Sequence, residues 1–237
     1  MRNYLVKIYP KQWSDKLLDG SVFMRSVHDF GTWSLTNPSK TDTSGLKPGV
    51  QGDAGEGIVF RVNPQKSDDY FNRFSPTVRA MMQDQSYIDK GYIQYLKGYC
   101  MYILEYNPVE KCFIKPDSQL REFGDSAVII LNEDAFGQRL LQRLTQIYAN
   151  QFEYASSKIF YYPQDYYGPL NEFCKRESYK WQNEFRVCIR IYDKRNMLVR
   201  DVKPITADIG SIRDIAIQIP VEDLIALKLP EVICPQK

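Results

Sequence analysis

The sequence has 237 residues, of which 43% are hydrophobic and 25% are charged, and its formal net charge at pH 7 is +2. This composition is typical of a globular protein with a sizeable core and argues against a disordered chain. Because the charge is almost balanced, we do not expect a broad basic surface for duplex DNA, although a local basic cleft is compatible with it.

Cysteine and histidine usage limits the chemistry further. The five cysteines are widely spread and form no C-x-x-C pair, which argues against a zinc site or a disulfide scaffold and favours a reducing compartment. His28 is the only histidine, so mechanisms that need an imidazole in a fixed place are nearly excluded. No run reaches the ~18 apolar residues of a membrane span. We therefore expect a cytoplasmic protein with no metal centre and no membrane partner.

The first third of the chain alternates short strand and helix patterns. Strands are predicted at 3–9, 21–27 and 57–63, and helices at 11–19 and 77–84. Gly20 lies where a helix end favours a left-handed residue. Arg25 is expected to point away from Val22 and Met24, toward either an outward ion pair or a phosphate. The Gly, Ser and Pro-rich segment 30–57 is predicted to be a loop, either a mobile turn or a flap over a ligand.

The remaining chain carries longer apolar segments. Strands are predicted at 98–106, 126–131, 158–162, 184–191 and 208–220, and helices at 133–146, 170–176 and 221–227. Asn132 is the expected N-cap of the longest helix. No internal repeat, low-complexity tract or linker interrupts the pattern. These elements predict one α+β domain over residues 1–237.

Glu184 is the first residue of the predicted strand 184–191. From Phe185 onward, apolar and polar residues alternate with a period of two, so Glu184, Arg186 and Cys188 are expected on a polar face away from the core. Such a glutamate is most often one half of a weak surface ion pair, here with Arg186. The alternative is a catalytic carboxylate at the start of a strand.

A resemblance favours the catalytic alternative. Gln182-Asn183-Glu184 resembles the Q-x-E form of the motif of ADP-ribosyltransferases, and WQNEFRV is similar to the glutamate strand of the DarT-type toxins that modify nucleic acid. The strand, helix, glycine and strand at the start of the chain also resemble the opening of these folds. Several segments, among them FMRSVHDF and YCMYIL, are similar to an uncharacterised family of bacterial proteins.

The resemblance implies split, mostly antiparallel β-sheets with peripheral helices, and NAD as a substrate without a metal. It assigns catalysis to Glu184, with Gln182 orienting the acceptor. For NAD it implies the contacts Lys7, Tyr9, Arg25 and Tyr162. For the acceptor it implies Arg176, Tyr179, Lys180 and Trp181.

Some of these assignments stay open. Lys7 or Tyr9 stands nearest the Arg or His that the family carries on its first strand, and Arg25 or Lys7 would hold the pyrophosphate. In one class of the family a Ser-Thr-Ser strand precedes the recognition loop, for which Ser156 and Ser157 are the counterparts. In the other class a tyrosine stacks on nicotinamide, and Tyr161 or Tyr162 would supply it.

The function expected from this resemblance is an ADP-ribosyltransferase toxin of a toxin–antitoxin or phage-defence system. Its acceptor would be single-stranded nucleic acid, RNA or DNA, or else a protein, and an antitoxin protein would be its partner. The alternative is a non-enzymatic protein-binding or sensor module with a tyrosine-rich surface. A third, weaker alternative is a nuclease, for which only Asp53 and Glu56 offer a carboxylate cluster.

Overall fold

The computed structural model describes residues 3–29, 57–63, 74–82, 85–89 and 93–233. These residues form an α+β structure in two compact units. Unit 1 comprises the described parts of 1–25, 97–158 and 181–237, and unit 2 those of 26–96 and 159–180. The single domain expected over 1–237 stays a prediction, and the predicted flap at 30–57 lies outside the described residues except for Gly57.

The elements are numbered in chain order. The strands are β1 (Tyr4–Tyr9), β2 (Ser21–Ser26), β3 (Ile58–Val62), β4 (Gln85–Ile88), β5 (Lys97–Leu104), β6 (Tyr106–Asn107), β7 (Cys112–Phe113), β8 (Ser126–Ile130), β9 (Phe152–Lys158), β10 (Phe160–Tyr162), β11 (Gly168–Pro169), β12 (Cys174–Arg176), β13 (Glu184–Ile191), β14 (Ile205–Asp208) and β15 (Ala216–Pro220). The α-helices are α1 (Lys11–Leu18), α2 (Pro76–Met81), α3 (Glu133–Tyr148) and α4 (Val221–Ile225), and 3₁₀ helices lie at Ser118–Phe123 and Glu177–Gln182.

Unit 1 is built on a large sheet that has eight strands among the described residues. Its main path is β14-β2-β5-β1-β8-β15; β13 pairs with β5 as well, and β9 pairs with β13. The β13 pairings with β5 and β9 and the β1 pairings with β5 and β8 are all antiparallel. In the described part of the chain β9 pairs with β13 alone, so β9 forms an edge of this sheet.

Both faces of the sheet carry a hydrophobic core. On one face, Leu17 of α1 and Phe136, Leu140 and Leu144 of α3 join one cluster with residues of the sheet such as Val187. On the other face a second cluster includes Tyr102, Ile129 and Leu224 of α4. Because both faces are covered, the central strand β8 is buried at every residue, as expected for a strand with core on both sides.

The longest helix and the first turn form as the sequence predicts. The Asn132 Oδ1 accepts a hydrogen bond of 3.0 Å from the Ala135 N–H, which confirms the predicted N-cap of α3. Gly20 has φ +106°, and a Cβ there would lie 2.3 Å from the Gly210 carbonyl oxygen. Both the backbone conformation and the space at Gly20 therefore require glycine.

Between residues 150 and 180, one predicted element is wrong and one strand was missed. The segment predicted as a helix at 170–176 ends instead in β12, which pairs in parallel with β10 through Phe160 and Cys174. The predicted strand 158–162 is confirmed in β10, whereas the longer strand β9, which ends at Lys158, was not predicted. In both places pairing with a distant strand overrides the local preference of a short segment.

Unit 2 contains small sheets. β10 and β12 form a parallel pair, and β3 lies between β11 and β4 in an antiparallel sheet that has three strands within the described part of the chain. Ile58, Tyr162 and Leu170 make a compact apolar cluster, against which Tyr166 packs. Among the residues described in both units, no helix is long and apolar enough to cross a lipid bilayer.

Candidate active site

Glu184 is the first residue of β13, as the sequence predicts, but its predicted exposure is wrong. Its residue exposure is 4%, and Arg186 and Cys188 on the same face are 0% and 2% exposed. The alternation of polar and apolar residues predicted one solvated face for this strand. The polar face is buried instead, because its charged groups pair with each other.

The pair consists of two residues separated by one position. The Arg186 Nε donates a hydrogen bond of 2.7 Å to the Glu184 Oε1, and the two side chains are 0% and 6% exposed. Residues i and i+2 of a strand point to the same face, so the geometry follows from the strand itself. A buried charge pair has little competition from water, and each ion would be costly to bury without the other.

The residues before Glu184 form a turn that is fixed to β5. Asn183 has φ +35°, which lies in the left-handed region. Its side-chain Nδ2 donates to the Ile103 carbonyl at 2.8 Å, and its own carbonyl accepts from the Ile103 N–H at 2.8 Å. Gln182 is buried. The Q-x-E segment is therefore held at its middle residue, whose role the sequence analysis did not identify although asparagine favours this backbone region.

Tyr102 is the cross-strand neighbour of Glu184. The β13–β5 register places Glu184 opposite Tyr102, so both side chains belong to one face of the sheet. Burial, followed by the nearby charges of Glu105 and Asp117, raises the pKa of the Tyr102 phenol above its ordinary value. Tyr102 is therefore an uncharged hydroxyl beside a carboxylate at neutral pH, a feature that the sequence analysis also missed.

Lys7 and Tyr9 do not join Glu184 in one site. The register pairs Val6 with Tyr102, so Val6 shares the face of Glu184 whereas Lys7 and Tyr9 belong to the opposite face. The Lys7 ammonium lies 4.5 Å from the ring centroid of Tyr9 and 4.7 Å from that of Tyr99. The predicted pocket that combined Lys7 and Tyr9 with Glu184 is therefore wrong in this respect.

Arg25 fits the predicted geometry better. Val22 and Met24 belong to the core cluster that contains Val187, so Arg25, which alternates with them, points to the opposite face, the face of Glu184. Its guanidinium lies 5.5 Å from the ring centroid of Phe23, and the residue is half-buried.

The candidates from the two classes of the family lie in different units. Ser157 stands opposite Arg186 in the β9–β13 register and so shares the face of Glu184, whereas Ser156 stands opposite Val187 on the other face. In unit 2, Tyr162 is buried in the apolar cluster, with the Arg61 guanidinium 5.9 Å from its ring centroid. Tyr161 is half-buried in the same strand.

The predicted acceptor residues are only partly exposed. In unit 2, Arg176 and Lys180 are exposed, Tyr179 is half-buried, and the Lys180 ammonium lies 4.0 Å from the Glu177 carboxylate. Trp181 belongs to unit 1, where its ring centroid lies 5.7 Å from that of Phe123 and the side chain packs against the second core cluster. Trp181 is half-buried against the core, so less of its ring is available to an acceptor than the resemblance implies.

No group of three or more His, Cys, Asp or Glu side chains among the described residues is arranged to hold a metal ion. Asp53 and Glu56, the carboxylates of the nuclease alternative, lie outside the described residues. Comparison with models of known protein families, with curated proteins and with solved structures gives no match to this chain.

Proposed function

We propose that this protein is an NAD-dependent ADP-ribosyltransferase with Glu184 as its catalytic carboxylate. One observation carries the proposal: a glutamate at the first residue of an internal strand is buried and held at 2.7 Å by a buried arginine. A purely solvated glutamate would have no such environment. The Q-x-E resemblance and the antiparallel sheet with helices against it agree with this assignment.

Glu184 would act on the positive charge that develops as nicotinamide leaves. The bond between the ribose carbon and nicotinamide breaks, a bond to the acceptor nucleophile forms, and the acceptor gives up its proton. Glu184 would accept a hydrogen bond from a ribose hydroxyl and stabilise the oxocarbenium-like centre. Preorganised groups of this kind contribute about 10²–10³ in rate when they act from a site that excludes water.

The neighbours of Glu184 have supporting parts in this proposal. Arg186 favours the ionised carboxylate and fixes its orientation. Gln182, buried two residues earlier, would orient the acceptor. Arg25, on the same face, is the candidate for the NAD pyrophosphate. Because only 6% of the Glu184 side chain is exposed, NAD must displace groups that now cover it.

The acceptor and the biological role extend the same proposal. Arg176, Lys180 and Tyr179 precede the Q-x-E segment directly and would supply charge and an aromatic ring to a single-stranded nucleotide. We include in the proposal a toxin role in a toxin–antitoxin or phage-defence system, with an antitoxin protein that suppresses the activity in the host.

The test uses purified wild type, Glu184→Gln and the control Glu222→Gln, which alters an exposed glutamate of α4. Each is incubated with NAD labelled in the ADP-ribose part, together with RNA, single-stranded DNA and a protein extract. We expect label in nucleic acid and nicotinamide release from wild type and the control, reduced about 100-fold or more in Glu184→Gln. Absence of both signals from wild type would overturn the transferase, and label in protein alone would overturn the nucleic-acid acceptor.

A second candidate function has an observation in its favour. Arg186 is fully buried and needs an opposite charge, which Glu184 supplies without any catalysis. In that case the protein is a non-enzymatic binding module. This candidate predicts that wild type releases no nicotinamide and labels no acceptor, and that the double variant Glu184→Gln/Arg186→Met, which removes both charges together, still folds. A folded double variant that transfers ADP-ribose as wild type does would exclude catalysis by Glu184.

A further inference from the structure

An open groove runs along unit 1 on the sheet face opposite to Glu184. It has a volume of about 460 Å³ and lies between the first half of α3 and the strands β5, β9 and β13. Its principal apolar lining residues are Phe136, Leu141, Met101, Tyr154, Phe185 and Val187. Leu141 and Tyr154 are 45% and 36% exposed, so large apolar groups at this groove remain in contact with water. Apolar surface exposed in a concave site is typical of a binding surface.

Gly137 borders an open part of the groove. It lines the groove in the middle of α3, and a Cβ at this position would find no atom within 4 Å. Glycine inside a helix costs about 1 kcal/mol relative to alanine, so it is not there for the stability of α3. A ligand side chain can occupy the space that a larger residue at 137 would fill.

The strand beside the groove has a free edge. Over its seven residues β9 pairs continuously with β13, and in the described part of the chain its other edge has no partner strand. The central residues, 154–157, contain no charge and no proline. Unprotected edges of this kind accept an additional strand from another polypeptide. Tyr154 and Ser156 face the groove, so alternate residues of an added strand would face it as well.

Negative charge lies at the start of the groove. Glu133 and Asp134 form the acidic first turn of α3 and both line the groove, and Asp134 is exposed. A basic side chain on the ligand would complement them. An acidic or a fully apolar ligand would offer no complement to the exposed carboxylate of Asp134.

We propose that the groove and the edge of β9 bind an extended segment of a partner protein that alternates apolar and basic residues. The segment pairs with β9 as an added strand, places an apolar side chain beside Gly137 and places a lysine or arginine against Asp134. This proposal does not depend on catalysis by Glu184, which belongs to the opposite face of the sheet.

The probe is a displayed library of nonapeptides, selected on the full wild-type chain and then measured by fluorescence anisotropy. Gly137→Leu fills the open space, and Gln142→Leu is the matched control on an exposed position of the same helix that does not line the groove. Asp134→Lys reverses the charge. Circular dichroism of each variant checks that α3 is intact.

We expect selected peptides that alternate apolar with basic residues, bind wild type and Gln142→Leu equally, and lose at least tenfold in affinity for Gly137→Leu. Exchange of their basic residue for glutamate weakens binding to wild type and restores it to Asp134→Lys. Methylation of alternate peptide nitrogens, in the register that faces β9, abolishes binding.

Three results overturn the proposal. The first is a selection that yields no peptide able to distinguish wild type from Gly137→Leu. The second is a selected peptide whose affinity does not change with Asp134→Lys. The third is a wild-type chain that is dimeric by sedimentation and becomes monomeric in Gly137→Leu, because the occupant is then a second copy of this chain.

Discussion

Glu184 and Arg186 form an ion pair of 2.7 Å on one face of β13, with side chains that are 6% and 0% exposed. The pair connects the fold with the proposed activity. It allows two of the three charged side chains of β13 to be buried, and it holds a carboxylate away from water. Loss of one partner leaves the other charge buried alone, whereas loss of both leaves no buried charge.

Replacement of Arg186 by methionine tests this coupling. We expect Arg186→Met to lower the free energy of unfolding by about 3–5 kcal/mol, because Glu184 then stays buried without its partner. The double variant Glu184→Gln/Arg186→Met should recover most of that loss. Urea denaturation followed by circular dichroism measures both. Equal stability of Arg186→Met and wild type would contradict a buried pair.

Asn183 fixes the turn that precedes Glu184. Asn183→Ala loses the hydrogen bond to the Ile103 carbonyl and places alanine at φ +35°, for an expected loss of about 1–3 kcal/mol. Asn183→Gly loses the hydrogen bond but tolerates the backbone, so its loss should be smaller. The difference in thermal midpoint between the two variants isolates the backbone contribution. A larger loss in the glycine variant would contradict this account.

If Glu184 is catalytic, the Asn183 variants should also lower the rate of ADP-ribose transfer. The turn fixes the start of β13 to β5, so a loosened turn should reduce transfer in the folded protein more in Asn183→Ala than in Asn183→Gly. The measurement is nicotinamide release at a temperature well below the midpoint of both variants. Unchanged release in a folded Asn183→Ala would separate this turn from the activity.

Most elements of unit 1 could be predicted from sequence, because capping residues, apolar periodicity and turn glycines there indicate the same element boundaries. Asn132 caps a helix whose apolar stripe is regular, and Gly20 lies at a turn that only glycine fits. The strand that begins at Glu184 is also correct. The alternation of polar and apolar residues could not show that the polar face of this strand is buried. It contains no information on whether Glu184 and Arg186 pair with each other.

The errors share a cause. β12 depends on pairing with β10 and β9 on pairing with β13, and the residues of β12 and β9 carry weak local signals. The candidate site was limited in the same way. Alternation within β2 correctly predicts that Arg25 points away from Val22 and Met24. The positions of Lys7 and Tyr9, on the sheet face opposite to Glu184, follow only from the register between β1, β5 and β13.

The two glycines at 20 and 137 should respond to alanine in opposite directions. Gly137→Ala is expected to stabilise the protein by about 0.5–1 kcal/mol, because it improves helix propensity and meets no atom within 4 Å. Gly20→Ala should destabilise it severely, since its Cβ would overlap the Gly210 carbonyl at a φ of +106°. Urea midpoints of the two variants are the measurement. A destabilised Gly137→Ala would contradict the open space at that position.

Tyr99 carries a buried hydroxyl group. Its side chain is buried, and its hydroxyl has no hydrogen-bond partner among the described residues. An unpaired buried hydroxyl costs about 1–3 kcal/mol, so Tyr99→Phe should be neutral or stabilising at pH 7, whereas most substitutions in a core destabilise. The ring, and with it the contact with the Lys7 ammonium at 4.7 Å, is retained. Urea denaturation of wild type and Tyr99→Phe measures the difference.

The same residue should control stability at alkaline pH. Burial, followed by the nearby Tyr9 and Cys100, raises the pKa of the Tyr99 phenol well above its ordinary value. In the unfolded chain this phenol ionises near its ordinary pKa of about 10, so the unfolded state binds fewer protons than the folded state above that pH. The contribution of the Tyr99 phenol to the free energy of unfolding is therefore fully present below about pH 10, and it is lost as the pH rises further. Tyr99→Phe removes this contribution, and its unfolding free energy should fall less steeply above pH 10 than that of wild type. Parallel curves for the two proteins would show that the Tyr99 phenol ionises at the same pH in both states.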